Sequence, residues 1–124
     1  MFKVFTFLVS LASSLLFSSC STVHFQGNAT FDIASIVNSC DKYLNREVTL
    51  RATYMGWSCP PECKHPGLTR SDTCIEDETG CIYLLSTGKL DPIRDKGKEY
   101  TFTAVVKKAP NGVCYLKVIR VSKG

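Results

Sequence analysis

The chain has 124 residues, a formal charge of +4 and 44% hydrophobic residues. A chain of this length holds one small domain and excludes a multidomain assembly. Its basic residues are scattered rather than banded, so charge alone gives no argument for nucleic acid.

Met1-Phe2-Lys3 carries one positive charge, and the following run from Val4 to Phe17 carries none. That run has the length of a signal-peptide core and is too short to cross a bilayer as a helix. It ends in Phe17-Ser18-Ser19-Cys20. Small residues just before a cysteine resemble the lipobox of bacterial lipoproteins, whose cysteine receives diacylglycerol before cleavage. The family's usual Leu three places before the cysteine is Phe17 here, with Leu16 one place earlier. The resemblance implies a signal peptide over residues 1–19, lipidation (palmitate) of Cys20 and a tether over residues 20–29. Ordinary secretory cleavage nearby and an uncut hydrophobic anchor are the alternatives. Several acyl chains on Cys20 would hold the protein firmly, since each buried CH₂ adds about 0.8 kcal/mol. Ser21 follows the cysteine, which in enteric bacteria implies sorting to the outer membrane. The expected location is therefore the cell envelope, lipid-anchored, on the periplasmic or surface side.

Without residues 1–19 the chain has 105 residues and a charge of +3, 14 basic against 11 acidic. Ser21 to Ala29 is mostly polar or small and reads as a flexible tether. It holds His24 and most of a formal sequon, Asn28-Ala29-Thr30, which in a bacterial lipoprotein is a chance match. The domain is expected over residues 30–124. Thr30 is placed to cap a helix whose one face carries Ile33, Ile36, Val37, Cys40 and Leu44. From Glu47 the period changes to two, with Val48, Leu50, Ala52 and Tyr54 on one side of a half-buried strand that ends at Gly56-Trp57. Ser58 to Arg70 carries three prolines and a glycine and is expected to be loop. Strands are predicted over 71–76 and 81–85, joined by the turn Asp77-Glu78-Thr79-Gly80. Residues 86–98 are largely polar. A strand over 99–108 has Tyr100, Phe102, Ala104 and Val106 on one face. Ala109-Pro110-Asn111-Gly112 then turns into a last strand over 113–121.

Five short strands and one short N-terminal helix make a mainly β chain. A small closed barrel hides the edges of such strands. The strand ending at Gly56-Trp57, Thr69-Arg70-Ser71-Asp72, the run Glu76 to Tyr83 and the closing Tyr115-Leu116 resemble OB-fold domains, over residues 45–121. The resemblance implies a five-stranded OB-like Greek-key barrel. Many OB folds carry a helix between strands three and four. Here residues 86–98 are too short and too rich in glycine and proline for a good one.

Cys20 aside, the cysteines are Cys40, Cys59, Cys63, Cys74, Cys81 and Cys114. An even set in a small exported domain reads as a disulfide framework with fifteen possible pairings. On a hairpin turning at 77–80, positions 74 and 81 share a face, so both can look toward the loop that holds Cys59 and Cys63. Two disulfides among these four are expected. Cys40 and Cys114 then remain, both on core-facing positions, either bridged or free and buried. The rival reading is a metal or redox site on Cys59, Cys63, Cys74 and Cys81. It lacks the tight C-x2-C pairs of zinc motifs and the devices that activate a thiol. His65, two residues after Cys63, would be a further metal ligand in that reading and a surface histidine otherwise. Asp72, Glu76, Asp77 and Glu78 form an acidic cluster on a strand and turn, a solvated hairpin tip rather than a calcium loop.

OB folds that bind single strands stack bases on aromatics over strands two and three and use basic loops. Trp57 and Tyr83 are the candidate platforms, and Arg70, Lys89, Arg94, Lys96 and Lys98 the candidate cations. An exported, lipid-anchored protein rarely meets nucleic acid. There is no nucleophile elbow, catalytic triad pattern or phosphate-binding glycine loop. The expectation is therefore a lipid-anchored binding module of the envelope, not an enzyme and without a cofactor. Its partner is a protein, a glycan or a small molecule, contacted through Trp57, Arg70 and Tyr83.

Overall fold

The computed structural model describes residues 31–123. The leader, Cys20, the tether with His24, and Thr30 lie outside the described residues. The elements run α1 (Ile33–Asn38), α2 (Cys40–Tyr43), β1 (Glu47–Gly56), β2 (Thr73–Asp77), β3 (Gly80–Leu85), β4 (Glu99–Lys108) and β5 (Cys114–Lys123). The strands close in the order β1-β2-β3-β5-β4. Strands β3 and β5 run parallel and the other neighbours antiparallel. This is the five-stranded Greek-key barrel of the OB fold.

Alternation along each strand sets the inside of the barrel. Val48, Leu50, Ala52 and Tyr54 of β1 meet Ile75 of β2, Ile82 and Leu84 of β3, Phe102, Ala104 and Val106 of β4, and Leu116 and Val118 of β5. Burying a side chain the size of Leu50 or Phe102 stabilises by about 2 kcal/mol. The barrel therefore rests on one continuous apolar core.

The single predicted helix is two short ones. Ser39 leaves helical geometry (φ −132°, ψ 40°) between them. Asp32 is the cap of α1, accepting from the Ser35 N–H at 2.8 Å. Ile33, Ile36 and Cys40 are buried as expected, whereas Val37, within α1, is 43% exposed. Helices this short hold by packing and by caps. The β2–β3 turn supplies such caps from across the sequence. The Asp77 carboxylate accepts from the Ile33 N–H (3.0 Å), and the Thr79 hydroxyl accepts from the Ala34 N–H (3.0 Å).

β2 begins at Thr73 rather than residue 71. Asp72 is withdrawn into the loop, accepting from the Thr69 N–H (3.1 Å) and hydroxyl (2.6 Å). β5 runs to Lys123, past its expected end, because β4 keeps pairing with it as far as Tyr100. No helix forms between β3 and β4. That connector instead folds against the end of β1, where Gly97 N–H donates to the Tyr54 carbonyl (2.7 Å) and Tyr54 N–H donates to that of Lys98 (2.8 Å). Gly56, at φ +58°, lets the Pro92 carbonyl approach its backbone closely.

Candidate ligand-binding site

The outer face of β2 and β3 is closed by the chain's own loop. Cys74 pairs with Tyr83 and Glu76 with Cys81, so Cys74, Cys81 and Tyr83 face away from the core side chains Ile75, Ile82 and Leu84. Disulfides Cys59–Cys74 and Cys63–Cys81 draw the β1–β2 loop across that face, with Cα separations of 6.0 and 5.7 Å. Cys63, Cys74 and Tyr83 form a second small core, flanked by Met55. His65 lies over Tyr83. The Asn111 amide donates to the His65 carbonyl (3.1 Å), which fastens the loop to the β4–β5 turn. Burial, with the nearby Asp72 charge, pushes the Tyr83 phenol above its ordinary range.

The third bridge, Cys40–Cys114, ties α2 to the start of β5 with Cα atoms 6.1 Å apart. The rival metal reading is thus corrected: Cys59, Cys63, Cys74 and Cys81 are joined in disulfides, not held as thiolates. Among the described residues no cluster of His, Cys, Asp and Glu is arranged to hold a metal ion. Of the acidic cluster, Asp72 is drawn off to serve the loop, while Glu76, Asp77 and Glu78 stay together at the hairpin tip, where Asp77 caps α1 and Glu78 is exposed.

Trp57 is 55% exposed, with its indole N–H donating to the Ser71 carbonyl (3.2 Å). Arg70 is exposed. Tyr83 lies buried under His65, so these three residues do not share one open face.

Among the described residues two sizeable concavities lie elsewhere. One, of about 720 Å³, lies between the helices, the loop and the β4–β5 turn. It is lined by charges of both signs, among them Asp41 and Lys108, which pair at 2.6 Å. The other, of about 610 Å³, lies between the β3–β4 connector and β5. Its origin is topological. β3 pairs with β5 from Tyr83↔Tyr115 to Leu85↔Lys117 and then departs at Ser86, whose φ is +66°. β5 continues along β4 to Lys123, so a gap opens beside it.

This groove has an apolar floor that includes Leu90, Tyr100 and Val121, and a rim carrying Lys89, Arg120 and Lys123. Ile119 is the extra residue of a β-bulge, since Thr103 pairs with Arg120 but Ala104 with Val118. The bulge puts Ile119 and Arg120 both outside and returns Val121 to the core. Among the described residues the groove's one carboxylate is Asp95, which is 6% exposed and already engaged. It accepts from Arg94 (2.9 Å) and from the Asp91 N–H (2.8 Å), and Lys98 lies at 3.6 Å. The Arg94 hydrogen bond, reinforced by the Asp91 N–H, holds the Asp95 carboxyl at about 2. Burial, with the Asp95 charge, raises the Tyr100 phenol.

Of the cations singled out from sequence, Lys89 and Arg94 reach the groove, while Lys98 pairs with Asp95 and Lys96 is exposed. Sequence reasoning missed Tyr100, Ile119, Arg120 and Lys123 as site residues. A signal was present: the apolar spacing Leu116, Val118, Val121 breaks the period of two at the bulge.

The chain matches no family model and no curated protein. Among solved structures it is similar to the second OB-fold domain of replication protein A from Methanococcus maripaludis, determined by solution NMR. The TM-score is 0.48 at 15% identity, over 77% of this chain and 94% of that one. The likeness carries no argument about what this chain binds.

Proposed function

We propose that the chain is an exported, lipid-anchored module of the cell envelope that binds a partner in the groove between the β3–β4 connector and β5. The observation that carries this reading is the contrast between two faces. The β2–β3 face is pinned shut by Cys59–Cys74 and Cys63–Cys81, whereas the gap beside β5 is open and built of apolar floor and cationic rim. Apolar concavities of this size with a few convergent polar groups are the usual form of a ligand site. Three disulfides suit an oxidising compartment, in keeping with the export pattern before Cys20. Nucleic acid and catalysis are not part of the proposal.

Metabolic labelling with a fatty acid tests the anchor: the wild type takes the label and Cys20→Ala does not. An unlabelled wild type removes the anchor from the proposal. A photo-crosslinking residue at position 119, with one at exposed position 37 as control, tests the groove in the native envelope. Discrete products from 119 alone are expected, and equal capture from both positions or none from 119 counts against the groove.

A further inference from the structure

Among the described residues, strand β5 has one open edge. Along its other edge it pairs with β4 over its whole length, from Cys114 to Lys123. On the β3 side it is paired only from Tyr115 to Lys117. From Val118 to Lys123 that side has no strand partner among the described residues. The facing connector does not fill the role, since residues 86–90 make a backbone hydrogen bond only within themselves, Leu90 N–H to the Thr87 carbonyl (3.3 Å). An open strand edge presents a row of N–H and C=O groups and is a template for another extended chain.

We propose that an extended acidic segment of another protein adds to this edge, pairing its main chain with residues 118–123. The inference rests on the groove being the ligand site and names the class of its occupant. In a strand laid along the edge, alternate side chains point to opposite sides. One set would meet Leu90, Tyr100 and Val121, and the other the rim cations Lys89, Arg120 and Lys123. Among the described residues the groove's carboxylate, Asp95, is committed to Arg94 and Lys98, so the rim charge is left for the partner. The matching sequence alternates apolar and acidic residues. Residues 118–123 span about 20 Å, room for about six residues of partner strand.

The same charges argue against a second copy of this chain. Two such edges would bring Arg120 and Lys123 against like charges. Charge therefore selects against self-association while leaving an acidic partner favoured. A polyanion without strand-forming amides would use the cations alone and leave the edge unpaired.

The test uses the full chain as purified, labelled for amide NMR, and a capped synthetic peptide of about seven residues alternating valine and glutamate. Titration is expected to shift the amides of 118–123 and 86–90. N-methylation at alternate residues keeps the charge but removes about three main-chain hydrogen bonds, and is expected to weaken binding roughly a hundredfold. Lys89→Ala with Lys123→Ala, both at exposed positions, is expected to weaken it about fivefold with no change in melting temperature. A valine–lysine peptide is expected to leave the spectrum unchanged. The inference is overturned if the methylated peptide binds as tightly as the parent, or if a thymidine oligonucleotide shifts these amides and the peptide does not. Silence at 118–123 with millimolar peptide overturns it as well. The ligand-site reading stands or falls separately, on the crosslink from position 119.

Discussion

The His65 ring lies tilted over the Tyr83 ring, with centroids 4.5 Å apart and planes at 59°. That contact exists because Cys63–Cys81 and Cys59–Cys74 hold the β1–β2 loop over the outer face of β3. Replacing Cys63 and Cys81 by Ala releases one clasp across 18 residues, which the chain-entropy model sets at about 3 kcal/mol. Tyr83 is then expected to react with tetranitromethane, while remaining protected in the wild type. Equal modification of Tyr83 in both proteins would show that the loop does not depend on its clasp.

Cys40–Cys114 closes a separation of 74 residues. Its replacement by Ala at both positions is expected to cost about 4 kcal/mol, seen as a lower midpoint in urea. Helix α2 loses its tether to β5, so amide exchange should quicken most over residues 33–43. A uniform change across the domain would contradict that placement.

Gly56 combines a left-handed φ of +58° with a neighbour that a Cβ would overlap, the Pro92 carbonyl oxygen. Gly56→Ala is expected to destabilise by about 2 kcal/mol or more, because the obstacle is backbone and cannot rotate away. Gly112→Ala is the comparison: its φ is +88° but nothing lies within 4 Å of the added Cβ. Its cost should be about 1 kcal/mol. Equal losses at the two positions would mean that the Pro92 approach adds nothing.

Asp95, held at about 2 by Arg94 and by the Asp91 N–H, has a definite pH signature. A carboxyl lowered on folding binds its proton more readily in the unfolded chain. Its stabilisation is fully present above about pH 4 and is lost as pH falls toward 2. Asp95→Asn removes this dependence, so its melting temperature should fall less than that of the wild type between those pH values. Parallel curves for the two proteins would exclude Asp95 as a source of acid sensitivity.

The barrel was legible in the sequence because its strands are amphipathic with a period of two. Val48 to Tyr54 and Tyr100 to Val106 declare their inner faces without reference to any partner. The turn at residues 77–80 likewise set the pairing of Cys74 with Tyr83 and of Glu76 with Cys81, so both cysteines could be placed on the loop side of the hairpin. Which loop cysteine meets which was decided only in three dimensions, because that choice depends on the path of a proline-rich loop and not on local periodicity. The same holds for the groove. Its cations and apolar residues come from residues 86–100 and 118–123, and they converge because β3 leaves β5 after Leu85 while β4 carries β5 onward. Alternation tells a side chain which face to take, but where a barrel stops closing follows from the relative lengths of neighbouring strands.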